Sequence, residues 1–293
     1  MKSAGKKFRD VLISEKPLHI IGVADGSDAL EAERAGFKAI YLSGSQMAAS
    51  RGWADIGRLE LHHVAEAVKR ILDSGTNLPL LVDIDTGFDD VAQTIRTLED
   101  LNVAAVHLED QQDLKVCGHL PGKHVVSQEE ATARIHRAVQ AKKNPEFVIM
   151  ARTDALAVEG LEKTLDRIAS YVAVGADMIF AEAFPDSKTY AAVKKAAQGK
   201  PVLCNMTEFG KVELKTPAEI DRETDGNVDM VLNPLSVYRG QRETAARMYQ
   251  NIRETGSQRS LVKQGSLQNR ENFQALIGYG AQIAERAAAL SKK

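Results

Sequence analysis

Residues 80–110 read LLVDIDTGFDDVAQTIRTLEDLNVAAVHLED, and this stretch holds the plan of the whole chain. A short apolar run ends in carboxylates at Asp83 and Asp85. Val91, Ile95, Leu98 and Leu101 then recur at helical spacing. A second apolar run, 104–108, again ends in acids, Glu109 and Asp110. That is one strand–helix–strand unit. The same pattern recurs outward in both directions. Further strand-like runs fall at 19–23, 39–42, 147–151, 178–181, 201–204 and 229–232, making eight candidate strands. Helical stretches fill the gaps at 27–35, 59–74, 90–101, 127–142, 160–174, 186–197 and 217–224. Leu61, Val64, Ala67, Val68 and Ile71 share one helix face, and Ser127 with Glu130 has the spacing of a capping box.

Strands alternating with helices predict parallel strands joined by right-handed crossovers. An open doubly wound sheet is the rival to a closed barrel. Polar residues stand at or just after the strand ends: Asp25, Ser43, Asp83, Asp85, Glu109, Arg152, Asp154, Glu182 and Asn205. A barrel gathers all these ends at one mouth, where an active site belongs, whereas an open sheet leaves its outer strands too far apart. The expected fold is therefore an α/β (β/α)₈ TIM barrel, with residues 1–293 forming a single domain. Beyond the eighth strand come a helix over 238–254, a polar connection over 255–265 and an extra helix over 269–290. Phe273, Leu276, Ile277, Ala281, Ile283, Ala284 and Ala287 give that last helix an apolar face. The pattern alone leaves open whether it docks on a partner subunit or on its own barrel.

The chain's net charge of −2 argues against a nucleic-acid partner, which calls for a basic excess or stripe. No run approaches a membrane span. The basic N-terminus, with Lys2, Lys6, Lys7 and Arg9, is not followed by an apolar signal segment, because Asp10 and Glu15 interrupt it. Two cysteines, Cys117 and Cys204, exclude a disulfide scaffold and point to a reducing compartment, so the expected location is the cytoplasm.

Asp83 and Asp85, two residues apart, leave a strand on the same side and can hold Mg²⁺ through hard oxygen ligands. The plainer reading is a helix start with Gly87 as a turn. Glu109 stands one βα unit further on, where a cap or an ion pair is the plain alternative. Residues 115–123 form a Gly- and Pro-marked loop with Cys117 between basic residues and His119. Basic neighbours favour a thiolate and lower a thiol from its usual pKa of about 8.5, which suits proton exchange or nucleophilic attack. A loop without chemistry is the alternative. Zinc is poorly supported, because Cys117 and His119 have no second close pair and Cys204 stands alone. Arg152, Arg239 and Arg270 supply guanidinium forks for carboxylates. A metal with several arginines reads as a polycarboxylate site. No phosphate-binding glycine motif occurs.

Taken together, Tyr41-Leu-Ser-Gly-Ser45, Val82-Asp-Ile-Asp-Thr-Gly87, His107-Leu-Glu-Asp-Gln111, Lys115-Val-Cys-Gly-His119, Ala151-Arg-Thr-Asp154, Phe180-Ala-Glu182, Asn205-Met-Thr207 and Asn233-Pro-Leu-Ser236 resemble the isocitrate lyase and phosphoenolpyruvate mutase superfamily over nearly the whole chain. The Cys-Gly-His loop resembles that of the carbon–carbon lyases, and the short chain is similar to the 2-methylisocitrate lyases. Phe180 and Leu232 match the smaller pocket residues that leave room for a substrate methyl. The resemblance implies a Mg²⁺-dependent cleavage of 2-methylisocitrate to pyruvate and succinate in propionate catabolism. It implies Asp83 and Asp85 at the metal, with Asp55 and Glu109 one layer further out. Ser43, Gly44 and Ser45 would hold the pyruvate portion, and Arg152 its forming carbonyl oxygen. Gly118, His119, Glu182, Asn205, Thr207, Arg239 and Arg270 would hold the succinate portion, with Cys117 as the acid that protonates it. A homotetramer with the last helix swapped between subunits is also implied. Two residues depart from the pattern: Val116 stands where a basic residue usually precedes the cysteine, and Ser45 where a glycine is usual. They keep open the sister activities, 2,3-dimethylmalate cleavage and oxaloacetate hydrolysis, and a catalytically weak dicarboxylate-binding barrel.

Overall fold

The computed structural model describes residues 2–112, 122–184, 186–210 and 212–291. Its eight strands are β1 (Leu18–Gly22), β2 (Ala39–Leu42), β3 (Leu80–Asp83), β4 (Ala105–Glu109), β5 (Val148–Thr153), β6 (Met178–Ala181), β7 (Val202–Asn205) and β8 (Met230–Asn233). They pair in parallel in chain order, and β8 returns to β1 through Leu18 opposite Met230, so the sheet closes as a barrel.

Strand side chains alternate between two cores. Leu80, Val82, Ile179, Ala181 and Val231 face out into the shell shared with the helices. Leu81, Ala105, Val148, Met150, Met178, Phe180, Leu203, Met230 and Leu232 fill the barrel interior. The same period of two decides the mouth. Continuing each inward row past its apolar members reaches Ser43 after Tyr41, Asp83 after Leu81, and His107 and Glu109 after Ala105. It likewise reaches Arg152 after Met150, Glu182 after Phe180 and Asn205 after Leu203.

Around the strands lie α1 (Ala4–Ser14), α2 (Gly26–Arg34), α3 (Gly44–Ser50), α4 (Leu61–Leu72), α5 (Val91–Asp100), α6 (Gln128–Ala141), α7 (Leu156–Glu159), α8 (Leu161–Ala173), α9 (Ser187–Ala196) and α10 (Pro217–Glu223). Caps set their starts: Asp90 accepts from the N–H groups of Ala92 and Gln93, and Ser127 from that of Glu130. Thr216 and Glu219 form a reciprocal capping box with Pro217 in the first turn. Helix α1 plugs the barrel's other end. Its Ala4, Phe8 and Leu12 join the interior core, and Arg9 pairs with Asp177 at 2.8 Å.

The C-terminal region differs from expectation. After α11 (Ser236–Thr255), the connection forms a short helix, α12 (Arg259–Lys263). The expected single helix over 269–290 is two, α13 (Arg270–Leu276) and α14 (Tyr279–Leu290). Gly278 at φ +64° takes a left-handed conformation that ends the first run. α13 packs by α2 and buries Leu276, whereas Tyr279, Ile283 and Leu290 of α14 stay about half exposed. Among the described residues no helix is long and apolar enough to cross a membrane.

Candidate active site

A cavity of about 260 Å³ opens at the C-terminal mouth of the barrel. Ser43, Ser45, Asp55, Asp83, Arg152, Phe180, Glu182, Asn205, Thr207 and Arg239 all line it. Ten residues read from scattered motifs therefore share one wall. A wider cleft of about 1180 Å³ lies between α4 and α5 and reaches Asp85, but includes none of Arg152, Glu182 or Asn205. The smaller cavity is the one that gathers the expected substrate groups.

Ser43 caps α3, so the helix N-terminus and its N–H groups begin at the mouth. Gly44 donates its N–H to Asp83 Oδ2 at 3.0 Å. A Cβ on Gly44 would stand 2.8 Å from that oxygen and 3.1 Å from Asp85 Oδ1. The two carboxylates thus converge on one point, and only glycine leaves that point clear. Asp83 Oδ1 also accepts from the Asp85 N–H at 3.1 Å, and Asp85 holds φ +47° to turn back toward its partner. Glu109 on β4 donates its backbone N–H to the Asp85 carbonyl at 2.9 Å. Tyr41 and His107 brace the floor: the tyrosine hydroxyl lies 3.0 Å from His107 Nε2 and 3.4 Å from Asp83 Oδ2.

Convergent, buried, anionic oxygens are the donor set of a hard divalent cation, so the site fits Mg²⁺. A second grouping close enough to share an ion is Glu60, His62 and His63 at the start of α4. There His63 Nδ1 accepts from the Glu60 N–H, and the Glu60 side chain accepts from His63 in return, so a helix cap accounts for the cluster.

Arg152 is the buried cation of the mouth. Its Nε lies 2.8 Å from Asp154 and 3.2 Å from Glu109, and its Nη2 lies 3.6 Å from Glu182. Its guanidinium sits over the Phe180 ring at 5.1 Å. Burial works against the charge, but Asp154, Glu109 and Glu182 hold it well above the ordinary arginine value. Asp154 shows the reverse. Burial would raise it, yet Arg152 and Lys123 hold its carboxyl down at about 2. Glu182 accepts from Asn205 Nδ2 at 3.2 Å, joining two of the expected substrate ligands. Arg239 Nε stands 3.9 Å from Glu208, which Ser236 also contacts.

Three expected residues, Cys117, Gly118 and His119, lie outside the described residues. Leu232 packs fully buried in the interior core with Phe180 and does not line the cavity. Arg270 is exposed at the start of α13 and does not line it either. The sequence did not reveal Asp154 and Glu208 as partners of Arg152 and Arg239, nor Lys123 as the second cation on Asp154. Asp154 carried a signal, since it stands at a strand end two residues after Arg152.

The matches to known proteins agree with this geometry. A family model described as phosphoenolpyruvate phosphomutase matches residues 8–222. The chain is 45% identical to the 2-methylisocitrate lyase of Shewanella oneidensis, over 96% of this chain and 95% of that one. It is 43% identical to that of Escherichia coli, over 95% and 94%. The crystal structure of a 2,3-dimethylmalate lyase, described as a PEP mutase/isocitrate lyase superfamily member, superposes with a TM-score of 0.87 at 28% identity, covering 99% of this chain and 96% of that one. An oxaloacetate acetylhydrolase in complex with 3,3-difluorooxalacetate gives 0.87 at 29% identity, covering 98% and 97%.

Proposed function

The chain belongs to the phosphoenolpyruvate mutase and isocitrate lyase superfamily, and from that premise we propose that it is a Mg²⁺-dependent lyase cleaving 2-methylisocitrate to pyruvate and succinate. The observation that carries the reading is the convergence of Asp83 and Asp85 over Gly44, in the mouth that also holds Arg152. Asp83 and Asp85 would hold the metal, with Asp55 and Glu109 one layer out. When bound, Mg²⁺ would supply positive charge to the alkoxide left when the hydroxyl loses its proton and to the carbonyl oxygen it becomes.

The substrate's hydroxyl loses its proton and the adjacent C–C bond breaks. The bonding pair stays on the succinate carbon, and the alcohol carbon becomes the pyruvate carbonyl. Arg152, fixed and buried, stabilises the oxygen where charge develops. Ser43, Gly44 and Ser45 bind the pyruvate portion at the start of α3. Glu182, Asn205, Thr207 and Arg239 line the cavity and hold the succinate portion, a role that the family resemblance also gives to Gly118 and His119. Cys117 returns a proton to the succinate carbon. Phe180 bounds the space for the substrate methyl.

We assign Arg270 to the succinate portion as a residue delivered across a subunit interface. Its distance from its own cavity wall and the exposed apolar face of α14 support a tetramer that exchanges these helices. The reaction belongs to propionate catabolism in the cytoplasm.

The test is pyruvate release, read by coupled lactate dehydrogenase, from 2-methylisocitrate, 2,3-dimethylmalate and isocitrate, with oxalate formation followed from oxaloacetate. The proposal expects 2-methylisocitrate to be the best substrate by kcat/KM. Faster turnover of 2,3-dimethylmalate or oxaloacetate would assign Ser45 and Val116 to a changed specificity. Silence on all four would leave a dicarboxylate-binding barrel.

A further inference from the structure

Asp154 is buried completely and does not line the mouth cavity, yet it joins two cations. Its Oδ2 accepts from Arg152 Nε at 2.8 Å, and its Oδ1 from Arg152 Nη2 at 3.3 Å and from Lys123 Nζ at 3.0 Å. A fork held at two nitrogens resists swivelling, so Asp154, nearer than Glu109 and Glu182, is the main constraint on the direction of the guanidinium. Asp154 is itself pinned, since its backbone N–H donates to Asp110 Oδ1 at 2.9 Å. Asp110 in turn accepts from Thr153 and from the buried Tyr171 hydroxyl, at 2.7 and 2.9 Å.

Lys123 comes from a different part of the fold. It adjoins a two-stranded stem in which Gln112 N–H donates to His124 O at 3.0 Å and Val126 N–H to Asp110 O at 2.9 Å. Arg134 clamps one side of the stem through the Glu109 and Gln111 carbonyls, at 2.7 and 3.0 Å. Arg167 clamps the other through the Val126 carbonyl at 2.7 Å. Asp154 therefore ties a strand-end arginine to a braced stem.

We propose that Asp154 is a positioning residue for Arg152, and that Lys123 is its second anchor, together aiming the guanidinium at the oxyanion of the pyruvate portion. The inference deepens the reading above and rests on its placing of Arg152. Without the Asp154 carboxylate, the shared anion that bridges Lys123 and Arg152 is lost. Repulsion from Lys123 then shifts the guanidinium toward Glu109 and Glu182, its remaining anions, whereas the described ion pairs and hydrogen bonds of Asn205 and Arg239 on the succinate side involve neither Asp154 nor Lys123.

The experiment uses the full chain with Mg²⁺. Oxalate, a planar mimic of the pyruvate oxyanion, and succinate are titrated calorimetrically against wild type, D154N, K123M and K123R, and kcat and KM are measured on 2-methylisocitrate. D154N is expected to weaken oxalate about tenfold and to lower kcat about a hundredfold, the scale of a misplaced catalytic group, with succinate held within about twofold. K123M should move the same quantities less far, and K123R should restore them. Unchanged oxalate binding in D154N overturns the proposal, as does equal weakening of oxalate and succinate, which is what general loosening of the fold would do. Should D154N fail to fold, the K123M and K123R pair decides by the same criteria. A wild type that binds oxalate but does not cleave 2-methylisocitrate would sink the substrate assignment, while the oxalate comparison still decides the role of Asp154.

Discussion

The backbone N–H of Gly44 donates to Asp83 Oδ2 at 3.0 Å, at a point where a methyl group would crowd the same oxygen at 2.8 Å. One glycine thus both orients a carboxylate and clears the space into which two carboxylates point. The relationship links the first residue of α3 to the strand end of β3, and it is the basis of the first prediction.

Gly44→Ala should displace Asp83 and Asp85 and weaken Mg²⁺. The expected loss is about 10- to 100-fold in metal affinity, the range for groups that orient metal ligands. Activity titrated against Mg²⁺ measures it. A wild-type Mg²⁺ dependence in this variant would separate Gly44 from the metal.

Cys117→Ser should abolish cleavage, with kcat down about 10²- to 10⁴-fold as expected when a proton donor is lost. Succinate affinity should be retained. Near-normal turnover would remove Cys117 from the acid role.

Asp154 gives a pH prediction. Its carboxyl is held at about 2 against an ordinary 3.8, chiefly by Arg152 and Lys123 working against burial. A depressed acid stabilises the fold above the ordinary value and loses that contribution as pH falls towards the folded value. The contribution is on the order of 2 kcal/mol. The gap in Tm between wild type and D154N should therefore be full above about pH 5 and shrink steadily towards about pH 2. A gap independent of pH would contradict the pairing.

Cys204 is almost completely buried beside Tyr190, and burial pushes its thiol up to about 11. It should resist alkylation in the native enzyme at neutral pH and react only on unfolding. Mass spectrometry of iodoacetamide-treated native protein checks this, and prompt labelling of Cys204 would count against it.

Helix α14 exposes Ile283 and Leu290 by about half. Ile283→Asp with Leu290→Asp should dissociate the proposed tetramer, read by sedimentation velocity, and should lower activity with it if Arg270 serves a neighbouring site. An unchanged sedimentation coefficient would place that face outside the interface.

The barrel was legible because its rule is local. Each strand shows its own apolar run, and the acid or arginine at its end sits on the same two-residue parity as the inward core. The tail was less legible: residues 269–290 keep helical spacing across Gly278, and only its backbone conformation reveals the break. Helix α3 was missed because Gly-Ser-Gln-Met-Ala-Ala-Ser carries no apolar stripe; Ser43 starts it by capping. Helix α1 has such a stripe in Ala4, Phe8 and Leu12, but its role as a plug depends on the closed barrel beneath it. At the mouth, the strand-end positions of Ser43, Asp83, Arg152, Glu182 and Asn205 and the Asp83–Asp85 spacing were legible, but the ion pairs between distant segments were not. Lys123 meets Asp154, and Glu208 meets Arg239, only after folding brings together segments about thirty residues apart.

The central claim is most directly tested by following 2-methylisocitrate, pyruvate and succinate together by proton NMR, with Mg²⁺ and then with excess EDTA. The account predicts equal amounts of pyruvate and succinate for each 2-methylisocitrate consumed, with the reaction stopping on chelation and resuming when Mg²⁺ is restored. No cleavage with Mg²⁺ present, or cleavage indifferent to the chelator, would contradict it.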